Sequence, residues 1–130
     1  MNAHYVFWIR FRLDPPTTAV TVEDPFVERR CFLEAAEPGT AGWLFFRDTL
    51  WRGEVSDRGY ARELFAEKLG LAGHPGVTVE DVEFRGLHTD EAYLDALKAE
   101  IATDLDAFKA DDVTEVLSKY LGSSIQVMED

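Results

Sequence analysis

Two groups of side chains in this sequence could do chemistry. The first is the segment Arg47-Asp48-Thr49-Leu50-Trp51-Arg52-Gly53-Glu54-Val55-Ser56-Asp57, which runs into a helix start. A helix N-terminus offers free amide donors and a partial positive charge, and Arg47, Arg52 and Arg58 could stand near it to hold an anion. Trp51 would add a flat stacking surface, and Gly53 would let a ligand approach the backbone. The purely structural alternative makes Trp51 a core residue, pairs Arg52 with Glu54 or Asp57, and leaves Gly53 to form the turn. The second group is Trp8, Arg10 and Arg12, which alternate along one face of a strand. With Arg30 or Arg47 beside them they would resemble a single-stranded nucleic-acid platform. Glu28 and Glu34 share that face with Arg30, so an ion-paired sheet surface is the stronger reading.

Motifs for enzymatic work are missing. The glycines form no phosphate-binding loop or dinucleotide fingerprint, and no serine sits in a Gly-x-Ser-x-Gly elbow. His4, His74 and His88 lack the spacing of a metal site, and Cys31 stands alone, which excludes an internal disulfide and a cysteine-based zinc site. Carboxylate pairs are too common in this chain to mark general acid–base catalysis. The expectation is a non-enzymatic binding or protein-interaction module without cofactor or metal, its partner a protein or a small anionic ligand. One alternative is a small enzyme, or enzyme subunit, binding an anionic substrate at residues 47–58. A weaker one is an RNA- or DNA-binding module that uses the arginine-bearing sheet face, which a net charge of −12 disfavours.

The elements that must position these residues follow from periodicity. Residues 5–13 alternate strictly, with Tyr5, Phe7, Ile9, Phe11 and Leu13 on one face, and Asp14-Pro15-Pro16 ends the strand. Residues 26–35 read as a second strand, and residues 43–51, apolar on both faces, as a third and central one. A helix capped by Ser56 or Asp57 ends at Gly70, and residues 77–85 read as a fourth strand. Thr89 caps a long helix whose stripe runs Leu94, Leu97, Ile101, Leu105, Phe108. Asp112-Val113-Thr114-Glu115 opens a last helix, and residues 124–127 add a short edge strand. The sum is a single α+β domain over 1–130, a mainly antiparallel sheet of four to five strands with three helices packed on one face.

Composition sets the surroundings. With 46% apolar residues, three Trp, nine Phe and four Tyr, the chain is built to fold despite its charge. That charge is well beyond the roughly 2 to 8 units of an ordinary small domain, and it is uneven. Residues 1–62 hold eight basic and nine acidic side chains, residues 63–130 five and sixteen. Screening at about 1 M salt, where the Debye length is near 3 Å, would relieve the repulsion, so a halophilic protein is expected. No basic segment followed by an apolar stretch opens the sequence, and no apolar run approaches the roughly 18 residues of a membrane span; a cytoplasmic protein is expected. An edge strand and surplus aromatic side chains favour a homodimer. Leu50-Trp51-Arg52, in a short acidic chain that begins with an aromatic strand, resembles the haloarchaeal family called LWR-salt proteins, named for that tripeptide. The resemblance implies a setting in salt-adapted archaea and assigns no activity, substrate or catalytic residue.

Overall fold

The computed structural model describes residues 1–128. β1 (Ala3–Leu13) pairs antiparallel with β2 (Phe26–Glu34) on one side and with β5 (Val77–Thr89) on the other. The order is β2-β1-β5-β6, with β6 (Ile125–Val127) parallel to β5, so the four-stranded sheet is mixed. The parallel end follows from the connection: α3 (Glu91–Ala102), the 3-10 turn Leu105–Phe108 and α4 (Val113–Leu121) lie between β5 and β6, and a chain crossing over helices returns in the same direction.

Alternation places Tyr5, Phe7 and Ile9 of β1 and Val79, Val82, Phe84 and Leu87 of β5 in the core, on the side that the helices cover. From the helices come Ala61 and Phe65 of α2 (Arg58–Lys68), Tyr93, Leu97 and Ile101 of α3, and Val116, Tyr120 and Leu121 of α4. These three helix starts follow the expected chemistry: the side chains of Asp57, Asp90 and Asp112 accept hydrogen bonds from the amides of Tyr60, Tyr93 and Glu115.

Several expectations are corrected. Residues 43–51 are not a central strand; Gly42 turns the chain at φ 86°, α1 (Phe45–Thr49) follows, and only Leu50–Trp51 (β3) is extended, pairing with Glu54–Val55 (β4) in a separate two-stranded ribbon. A run apolar on all sides suits a short buried helix as well as a buried strand. Here Phe46 is fully buried and stacks on Phe108 at 5.9 Å and 11°, while Phe45 packs on Tyr5 at 4.8 Å. The long helix is also divided: Asp90, not Thr89, is its cap, and after Ala102 the chain leaves the α conformation at Asp104 (φ −152°) and re-enters as the 3-10 turn. The stripe through Phe108 survives because a 3-10 turn can still present its apolar side to the core. With α1 the described residues form four α-helices in place of three, and β5 extends to Thr89.

Candidate functional site

Leu50-Trp51-Arg52 forms the first half of the β3–β4 hairpin. Leu50 is buried, and Arg52 and Gly53 occupy the turn at φ 52° and 81°. Two successive positive φ values in a two-residue loop are the twist that joins right-handed strands tightly. The turn amides then serve inside the molecule. Arg52 N donates to the Lys119 carbonyl at 2.8 Å and Gly53 N to the Tyr120 carbonyl at 3.0 Å, satisfying acceptors at the C-terminal end of α4. The backbones approach closely: a Cβ on Gly53 would lie 3.1 Å from the Leu121 carbonyl oxygen, and one on Gly122 (φ 61°) 3.1 Å from that of Arg52.

Trp51 stands half out of the surface, 44% exposed, edge-on to Tyr120 at 5.9 Å, with the Arg52 guanidinium 5.6 Å and the Lys119 ammonium 5.9 Å from its ring. An open depression of about 500 Å³ is lined by Trp51, Arg52, Glu115, Ser118 and Lys119. Two of its ionic groups are bonded to backbone: Lys119 Nζ donates to the Phe108 carbonyl at 2.8 Å, and Glu115 accepts from the Asp111 amide at 2.9 Å. The other two residues of the junction lie elsewhere. Arg47 pairs with Asp48 at 3.0 Å, and Arg58 reaches Asp81 at 3.5 Å beside a different cavity. The amide of Tyr60 in the first turn of α2 is taken by the Asp57 carboxylate, whose charge opposes an anion there.

The opposite side of the sheet carries Trp8, Arg10 and Arg12. Arg12 is held by Asp14 at 2.8 Å and Glu80 at 3.0 Å, and the carboxyl of Asp14 is kept below its usual range by the Thr78 hydroxyl and Arg12. Arg10 lies over the Phe26 ring at 3.9 Å, facing a cavity of about 390 Å³ that it shares with Trp8, Glu28, Asp81, Glu83 and Arg85. The register of β5 against β1 slips twice, between Val6 and Phe7 and between Arg10 and Phe11, leaving Arg85 and Glu80 as the extra residues of two bulges. A bulge re-aims its side chain. Arg85 consequently sits 5.7 Å from the Trp8 ring, with Glu83 at 2.9 Å.

Next to it, a cavity of about 410 Å³ is lined by Val6, Trp8, Arg30, Arg85 and His88. Val6 is its buried apolar floor. His88 is the cross-strand partner of His4, their rings 5.4 Å apart, and His4 in turn meets Phe32 edge-on at 5.1 Å. Burial lowers the His88 imidazole below its ordinary value, with His4 and Arg30 adding to the effect. Arg85 and His88 were not legible as site residues. Reading the fourth strand as ending at Arg85 makes His88 a loop histidine, and the bulge at Arg85 breaks the alternation that would have carried the strand to Thr89. Among the described residues, no cluster of three or more His, Cys, Asp or Glu is placed to hold a metal ion, and no helix is long and apolar enough to cross a membrane.

The hairpin gives the tripeptide a definite part in the fold, and a family model for LWR-salt proteins matches residues 1–130, the whole chain. The chain belongs to the LWR-salt protein family. No curated protein and no solved structure matches it. In this LWR-salt protein the Leu of the tripeptide fills the core, the Trp shields the end of α4, and the Arg turns the chain.

Proposed function

We propose that this protein is a non-enzymatic binding module, and that its binding surface is the open face of the sheet, where Trp8, Arg30, Arg85 and His88 surround Val6 and receive an anionic group. One observation carries the reading. In a chain of net charge −12, the wall of this cavity contains no carboxylate. Four other cavities among the described residues each hold at least one: Glu34 and Glu37 beside the N-terminal residues, Glu54 and Glu83 beside Arg58, Glu28 with Asp81 and Glu83 beside Arg10, and Glu115 beside Trp51. Arg30, in no ion pair among the described residues, gives a bidentate donor, Arg85 adds the donors not taken by Glu83 at 2.9 Å, the indole edge or face gives a planar contact, and the imidazole a donor whose charge depends on pH. At the Trp51 depression, by contrast, Glu115 lines the wall beside Arg52 and Lys119, and both Lys119 and Glu115 are engaged by backbone groups.

The salt-rich cytoplasm belongs to the same proposal, supported by the net charge and by four lysines against nine arginines. Titrating isotope-labelled protein with sulfate and with adenosine monophosphate in molar potassium chloride tests the reading. Amide shifts should concentrate at Trp8, Arg30, Arg85 and His88 and weaken in Arg85→Ala. Shifts centred on Trp51 and Arg52, or none with either anion, would refute it.

A further inference from the structure

β2 is an outer strand of the sheet, and its hydrogen bonds to β1 fix which of its backbone groups are free. Ala35 N donates to the Ala3 carbonyl at 3.0 Å, and Leu13 N to the Pro25 carbonyl at 2.7 Å. The odd-numbered residues of β2 therefore turn their amides and carbonyls toward β1. The even-numbered Phe26, Glu28, Arg30, Phe32 and Glu34 turn theirs outward. Arg30, Phe32 and Glu34 also expose their side chains, and Phe32, at 57%, is the most exposed large apolar side chain among the described residues. Neither Arg30 nor Glu34 is in an ion pair among the described residues, although an ion pair would suit both.

Such an edge is a template for antiparallel pairing with a second copy of itself, and side-chain chemistry selects the register. A two-fold axis at Arg30 sets guanidinium against guanidinium, and one at Cys31 sets Glu28 against Glu34. An axis at Leu33 places Phe32 against Glu34 and leaves Arg30 facing Ala36. With the axis at Arg29, Glu28 meets Arg30, but Arg29 opposes itself, and the Glu28 carbonyl needed for the ladder already accepts from the Arg29 guanidinium at 2.7 Å. With the axis at Phe32, Arg30 meets Glu34 twice, Phe32 meets Phe32, and Cys31 meets Leu33 on the inner face.

We propose that two copies pair through β2 about Phe32, making one eight-stranded sheet closed by two Arg30–Glu34 ion pairs. The pairing masks the longer exposed edge of the sheet. It shares Arg30 with the anion cavity, whereas Trp8, Arg85 and His88 lie on β1 and β5 away from the axis, so Arg85→Ala tests the anion reading without altering the dimer pairs.

Sedimentation equilibrium of the full chain in molar potassium chloride is the test, and a concentration-dependent monomer–dimer equilibrium is expected. Arg30→Glu or Glu34→Arg alone should weaken association on the order of tenfold, and the double variant R30E/E34R should restore it. Phe32→Pro removes an outward amide while leaving every ladder bond to β1 in place, so it should give a monomer with an unchanged circular dichroism spectrum. A chain that stays monomeric at every concentration overturns the proposal. So does a dimer indifferent to Phe32→Pro, or one restored by R30E/E28R in place of R30E/E34R.

Discussion

The amide of Gly53 donates to the carbonyl of Tyr120 at 3.0 Å, which fastens the tip of the β3–β4 hairpin to the end of α4. The contact is backbone on backbone, so it depends on the absence of a side chain. Gly53→Ala would force a Cβ to 3.1 Å from the Leu121 oxygen at φ 81°. The expected loss is about 1–3 kcal/mol, read from urea unfolding at fixed salt. Unchanged stability would mean that the hairpin is not fastened there.

Arg52 holds φ 52°, where Asn or Gly is the favoured residue of such a turn. Its amide, not its side chain, makes the bond to Lys119, and Asn keeps that amide. Arg52→Asn should therefore raise stability by up to about 1 kcal/mol if the turn is all that matters. A fall in the unfolding midpoint would instead assign weight to the guanidinium beside Trp51.

Phe46 makes the short helix α1 part of the core. Its ring lies within about 6 Å of Trp43, Phe108 and Tyr120, and none of it reaches solvent. Phe46→Ala should cost about 3–5 kcal/mol, a large share of the stability of a domain this size. Thermal or denaturant unfolding measures it. A loss under about 1 kcal/mol, as for an exposed ring, would contradict the packing.

What the sequence revealed depended on whether a local rule had a rival. β1 was legible because its alternation runs unbroken from Tyr5 to Leu13, α4 because Asp112 opens a capping box, and α2 because Ser56-Asp57 offers a cap, of which Asp57 is the one used. Residues 43–51 were not, since a short run that is apolar on every side carries no period, and what holds it as a helix is distant packing on Tyr5 and Phe108. The same limit governed the site. Trp8 could be placed on a face, but its neighbours Arg85 and His88 depend on a register slip in β5 that no local pattern announces. Likewise Trp51 and Arg52 were prominent, while their dependence on the end of α4 is a contact across about seventy residues of chain.

His88 offers a pH-dependent reading of both stability and binding. Burial holds its imidazole below the ordinary value, so near that value the unfolded chain binds more protons than the folded one. Stability from this group is complete above about pH 6.5, the unfolded value, and declines as the pH falls through it. Asp90, held low first by the Tyr93 amide, acts only at lower pH, as its carboxylate takes up a proton. His88→Asn should accordingly flatten the melting temperature between about pH 7 and 5 while leaving the steeper acid limb intact. An anion in the cavity would favour the imidazolium and shift the group the other way, so sulfate affinity should rise as the pH falls over the same range. Following the His88 ring proton by NMR, with and without sulfate, reads both effects in one titration. The midpoint should move up when sulfate is present, and a midpoint that sulfate leaves in place would separate His88 from the binding surface.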